Sequence, residues 1–109
     1  MDYKVTLTLQ ATEQIHNTML YIARTLMQPE TARLWTDLLY REIGKLGFMP
    51  SRFQLAEEEP WHTKGVHKLP VKNFLVYYII DEDSKTVSVI AVIYGRRDQL
   101  GALASLSDN

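Results

Sequence analysis

Hydrophobic and polar residues alternate at the start of the chain. Tyr3, Val5, Leu7 and Leu9 are separated by Lys4, Thr6, Thr8 and Gln10, the period of a strand with one buried face. At Ala11 the period lengthens. Ala11, Ile15, Met19, Ile22 and Leu26 recur at steps of three and four, the inward stripe of an amphipathic helix. Thr12 is the expected N-cap, with Glu13 favourably placed against the helix dipole. The helix should stop near Met27, because Pro29 disfavours the helical conformation at Gln28. Pro29 and Glu30 suit the first turn of a second helix. Its inward stripe is Ala32, Trp35, Leu39, Ile43 and Leu46, widened by Leu38, and Gly47 can supply a left-handed C-terminal cap. So short a connection predicts an antiparallel helical hairpin.

Residues 48–60 lose this periodicity and read as a loop that ends in Glu57, Glu58, Glu59 and Pro60. Three runs rich in β-branched and aromatic residues follow, at 66–71, 74–80 and 87–93. They are joined by Lys72-Asn73 and by the polar stretch 81–85, which predicts a meander of three antiparallel strands. The expected order is β-α-α-β-β-β, a helical hairpin packed on one face of a small antiparallel sheet, hence an α+β fold.

Strand parity raises a question of cover. In the last run Val87, Val89, Ala91 and Ile93 alternate with Ser88, Ile90, Val92 and Tyr94, and the run at 74–80 is apolar on both faces. One hairpin can cover one side. Either the C-terminal segment 100–106 wraps the other, or a partner chain packs on the face bearing Ile90, Val92 and Tyr94.

At 109 residues the chain is expected to be one domain spanning residues 1–109. It has no cysteine, which excludes disulfides, a thiolate zinc site and a cysteine nucleophile. No apolar run reaches the roughly 18 residues of a spanning helix, and the N-terminus lacks a signal-peptide layout, so the expectation is a cytoplasmic protein with no membrane partner. Twelve basic and 13 acidic residues leave a net charge of −1, so any nucleic-acid site must come from local clustering.

Two clusters qualify. Residues 62–72 carry Lys64, Lys68, Lys72, His62 and His67 and no acid, and the last strand runs into Arg96 and Arg97. Guanidinium and ammonium groups at the mouth of a sheet can hold a phosphate or a carboxylate. In the first meander strand His67 shares a face with Leu69 and Val71, while Lys68 faces the other way. His67 reads either as a half-buried edge histidine or as an acid–base group. His16 has no ligand partner at helical spacing, so no metal site is expected, and there is no phosphate-cradling glycine loop or nucleophile elbow. Trp35 and Trp61 read as packing residues.

The element order, the segment Gly65-Val66-His67-Lys68-Leu69, the run Asn73-Phe74-Leu75-Val76-Tyr77-Tyr78 with Asp81-Glu82, and the ending Ile93-Tyr94-Gly95-Arg96-Arg97-Asp98 resemble the RelE/ParE toxin family over nearly the whole chain. The resemblance implies the toxin half of a bacterial type II toxin–antitoxin pair that causes growth arrest. It also implies a cognate antitoxin that wraps the toxin with a helix and an extended segment, and no cofactor.

RelE-like members cut messenger RNA in the ribosomal A site without a metal, and ParE-like members poison DNA gyrase. Carried over by motif, Arg97 falls on the arginine after the last strand and Lys68 near the lysines of the first meander strand. The usual middle-strand arginine is Leu75 here, and the tyrosine of the C-terminal helix falls at about Leu103. The leading expectation is a RelE-like, ribosome-dependent endoribonuclease with Arg97, Lys68 and His67 as catalytic groups and Arg96, Lys72 and Lys64 binding RNA phosphate. The alternatives are a non-catalytic ParE-like gyrase poison and an inactive member that only binds its antitoxin.

Overall fold

The structure, a computed structural model, describes residues 2–94. Its elements are β1 (Lys4–Leu7), α1 (Leu9–Leu20), α2 (Pro29–Gly44), β2 (His67–Val71), β3 (Phe74–Asp81) and β4 (Thr86–Tyr94). The four strands form one sheet in the order β1-β4-β3-β2. The meander β2-β3-β4 is antiparallel as expected, whereas β1 joins at the outer side of β4 in parallel, so the sheet is mixed.

The helices depart from the sequence reading at their ends. α1 begins at Leu9, one turn earlier than Thr12 would allow, because the Thr8 hydroxyl accepts the Ala11 N–H at 3.1 Å. Leu9, the last apolar residue of the alternating run, is 75% exposed and belongs to the helix. The far end of α1 widens into a π-helical turn, Tyr21–Thr25, with Leu26 N–H bonded to Tyr21 C=O. Met27 then takes a left-handed conformation (φ 55°) and turns the chain into Pro29.

α2 ends at Gly44 and continues as a 3₁₀ turn, Lys45–Gly47. Gly47 is not left-handed. Its smallness serves a close approach instead: a Cβ there would sit 3.0 Å from the Tyr3 carbonyl oxygen, and Tyr3 N–H donates to Gly47 C=O at 2.7 Å.

The main core lies between the hairpin and the sheet. Ala11, Ile15, Leu39, Ile43 and Leu46 meet Leu69, Val71, Phe74, Val76, Tyr78, Val87, Val89 and Val92. Trp35 is tilted against Phe74, with ring centroids 3.4 Å apart. A second, smaller cluster sits on the opposite face: Ala56, Val66, Tyr77 and Ala91, with Trp61, Leu75, Ile90 and Ile93 packed on it.

A bulge interrupts β4 opposite Tyr77 and Tyr78. Tyr77 pairs with Ala91 and Tyr78 with Val89, so Ile90 is an extra residue and the facing pattern inverts there. Val92 and Tyr94 therefore turn to the helix side, and Val92 is 2% exposed. The expected shared face of Ile90, Val92 and Tyr94 does not exist. Ile90 remains on the second face with Ala91 and Ile93.

Candidate functional site

The segment between α2 and β2 shapes the surroundings of the sequence-selected residues. It runs along the free edge of β2, where Lys68 N–H donates to Gln54 C=O at 3.0 Å and Ala56 N–H to Val66 C=O at 2.7 Å. It then crosses onto the second face, where Trp61 packs against Tyr77 with centroids 4.3 Å apart. Part of the apolar second face is thus covered by the chain's own loop, where the sequence pointed either to residues 100–106, which lie outside the described residues, or to a partner chain.

Both histidines of the segment 62–72 are tied to backbone. His67 donates from Nδ1 to the Phe53 carbonyl at 2.7 Å and stacks on Tyr78 with an interplanar angle of 14°. His62 donates from Nδ1 to the Ala56 carbonyl at 3.0 Å. A carbonyl only accepts, so in each neutral ring the Nδ1 carries the proton and Nε2 the lone pair. His67 is half-buried at the sheet edge.

Tyr78 is fully buried, and its hydroxyl donates to the Pro50 carbonyl at 2.6 Å. Burial pushes its phenol well above the usual range, only weakly opposed by the Arg52 charge. Tyr78→Phe leaves that carbonyl without its donor and should cost about 1–3 kcal/mol at neutral pH. The contribution of Tyr78 is complete below the ordinary phenol pKa of 10.0 and is lost as pH rises above it, since the folded state resists ionisation. Denaturant titration at pH 7 and pH 11 should therefore show the gap between wild type and Tyr78→Phe narrowing at the higher pH.

The basic residues of this segment are spread out. Lys68 lies on the second face opposite Tyr77, while His67 projects to the helix side. Lys64 is exposed in the covering loop. Lys72, left-handed at the β2–β3 turn (φ 54°), lines a cleft of about 330 Å³ with Thr31, Leu34, Trp35 and Leu38. Val71, Phe74 and Tyr94 align across the three meander strands, so the Lys72 turn lies at the sheet end where β4 stops, as strand directions predict. Arg96 and Arg97 lie outside the described residues.

Leu75, at the position of the middle-strand arginine, is half-buried among the apolar residues of the second face. Among the described residues no group of three or more His, Asp or Glu side chains could hold a metal, and no helix is long and apolar enough to cross a membrane.

The sequence reading missed three contacts that shape this region. The Pro50 carbonyl beneath Tyr78 is invisible to periodicity. Trp61 on Tyr77 is signalled only by an aromatic residue beside a proline. Gln14, an unremarkable polar position of α1, accepts the Val92 N–H at 2.7 Å.

A short parallel strand, a helical hairpin and an antiparallel meander define the fold as α+β with a four-stranded mixed sheet. The chromosomal ParDE toxin–antitoxin system from P. aeruginosa superimposes with a TM-score of 0.71 at 14% identity, covering 86% of this chain and 97% of that one. The isolated E. coli RelE toxin gives 0.59 at 13% identity, covering 98% and 99%. The archaeal RelE–RelB complex from Pyrococcus horikoshii OT3 gives 0.55 at 10% identity, covering 86% and 96%. At these identities the likeness is one of fold. No curated relative matches the sequence. Residues 5–99 match the family described as the ParE toxin of the type II toxin–antitoxin system parDE, and the chain belongs to that family, within the RelE/ParE superfamily.

Proposed function

We propose that this toxin acts as a ParE-like, non-catalytic poison of DNA gyrase and is neutralised by a cognate antitoxin. The observation that carries this reading is the match of residues 5–99 to the ParE family. It supports that reading better than RNA cleavage on the ribosome, the leading expectation from sequence. Cleavage through a 2′-hydroxyl asks for a base, an acid and cations converging on one phosphate. His67 and Lys68 project to opposite faces of β2, and the middle strand offers Leu75 where a cation would be needed. Among the described residues, the feature that favours the nuclease is the lone pair on His67 Nε2, which could accept a proton.

In this proposal the antitoxin covers the second face. Leu75, Ile90 and Ile93 form its half-buried apolar part, beside the loop that carries Trp61. The similarity to toxin–antitoxin structures from P. aeruginosa and P. horikoshii supports a partner of this kind.

Pulse-labelling of protein synthesis after induction tests the target, with messenger ends mapped on ribosomes and DNA breaks scored in parallel. The expected result is continued translation, no new messenger ends and accumulating DNA breaks, with His67→Ala as toxic as wild type. Early arrest of translation with new messenger ends, relieved in His67→Ala, would reject the proposal in favour of the nuclease.

A further inference from the structure

β1 and β4 are unequal partners. β1 has four residues and its pairing with β4 ends at Leu7 opposite Val89, because the chain turns into α1 at Thr8. β4 has nine residues and runs on to Tyr94. Its outer edge beyond Val89 therefore has no strand beside it among the described residues. Two side chains stand in for one. The Thr8 hydroxyl donates to Ile90 C=O at 3.4 Å, and the Gln14 carboxamide oxygen accepts the Val92 N–H at 2.7 Å.

The edge they close is hazardous in composition. Residues 87–94 read Val-Ser-Val-Ile-Ala-Val-Ile-Tyr, with no charge and no proline, the signature of a segment that pairs with its own kind. Two copies of such an edge meet antiparallel about a two-fold axis without bringing like charges together. The usual protections of an edge strand, a lysine or a proline along it, are missing from this stretch. What guards it instead comes from the neighbouring helix.

We propose that Gln14 is a plug for the open edge of β4: its carboxamide oxygen takes the Val92 N–H that would otherwise recruit the β4 strand of a second copy. Gln14 is half-buried and reaches across 78 positions of sequence to make this bond. The bulge at Ile90 prepares it. By inverting the strand's facing there, it puts the Val92 side chain into the core while the Val92 N–H meets α1.

The test compares Gln14→Met, which keeps the length and helix preference of the side chain but removes the oxygen, with Gln14→Glu, which keeps an acceptor. Sedimentation equilibrium of the purified full chain should show Gln14→Met self-associating at least tenfold more tightly than wild type. Gln14→Glu should behave as wild type. Equal association of Gln14→Met and wild type, or equal tightening in both variants, would overturn the proposal. Amide exchange in the wild-type protein supplies a measurement independent of either variant's folding. The Val92 amide should exchange far more slowly than a solvent-exposed amide, and exchange at the solvent rate would equally overturn it.

Discussion

Leu39→Ala is expected to lower stability by about 2–5 kcal/mol, a large share of the roughly 5–15 kcal/mol that holds a domain of this size together. Leu39 is 1% exposed and belongs to the cluster formed by the hairpin and the helix-side residues of β2, β3 and β4. Removing three carbons there forfeits transfer free energy and leaves a cavity, because Phe74 and Tyr78 are rigid rings that cannot collapse into the gap. Lys64→Ala, on the exposed covering loop, should change stability by about 0.5 kcal/mol or less. Chemical denaturation of both variants checks the pair, and equal costs would mean that Leu39 does not face the core.

That prediction rests on an element the sequence exposed well. The three- and four-residue recurrence from Ala32 to Leu46 identified which side of α2 is buried, and Leu39, Ile43 and Leu46 are all in the core. The meander was equally legible, since β-branched runs separated by Lys72-Asn73 and by residues 81–85 leave few other pairings.

Capping and register were less so. Thr8 and Thr12 are equivalent as letters, and only the turn out of β1 selects Thr8. Gly47 reads as a helix stop, yet it is small because the Tyr3 carbonyl lies against it. The bulge at Ile90 left no trace in an unbroken apolar run, and that one extra residue reversed the facing of Val92 and Tyr94. His67 and Lys68 were correctly assigned to opposite faces by parity. Their neighbours Phe53 and Tyr77 come from distant stretches that only the fold brings together.

The same bulge sets the second large effect. Ile90→Lys should weaken the antitoxin complex by roughly tenfold to a hundredfold, since an ammonium buried beneath a partner without a counter-charge costs about 1.4–3 kcal/mol or more. The side chain is half-buried at the edge of the second cluster, so the free toxin can swing the lysine toward water and stay folded. Val92→Lys would unfold the protein, because Val92 lies in the main core. Calorimetric titration of folded Ile90→Lys with the antitoxin reads the effect directly. Unchanged affinity would move the antitoxin off this face.

The proposed function is poisoning of gyrase by binding, without RNA chemistry. It is tested most directly by titrating the purified toxin into a DNA supercoiling reaction with purified gyrase. The expected result is loss of supercoiling with accumulation of cleaved DNA, reversed by adding the antitoxin in equal amount and unaffected by His67→Ala. Undiminished supercoiling at toxin concentrations well above that of gyrase, from a preparation that still arrests growth when expressed, would contradict it.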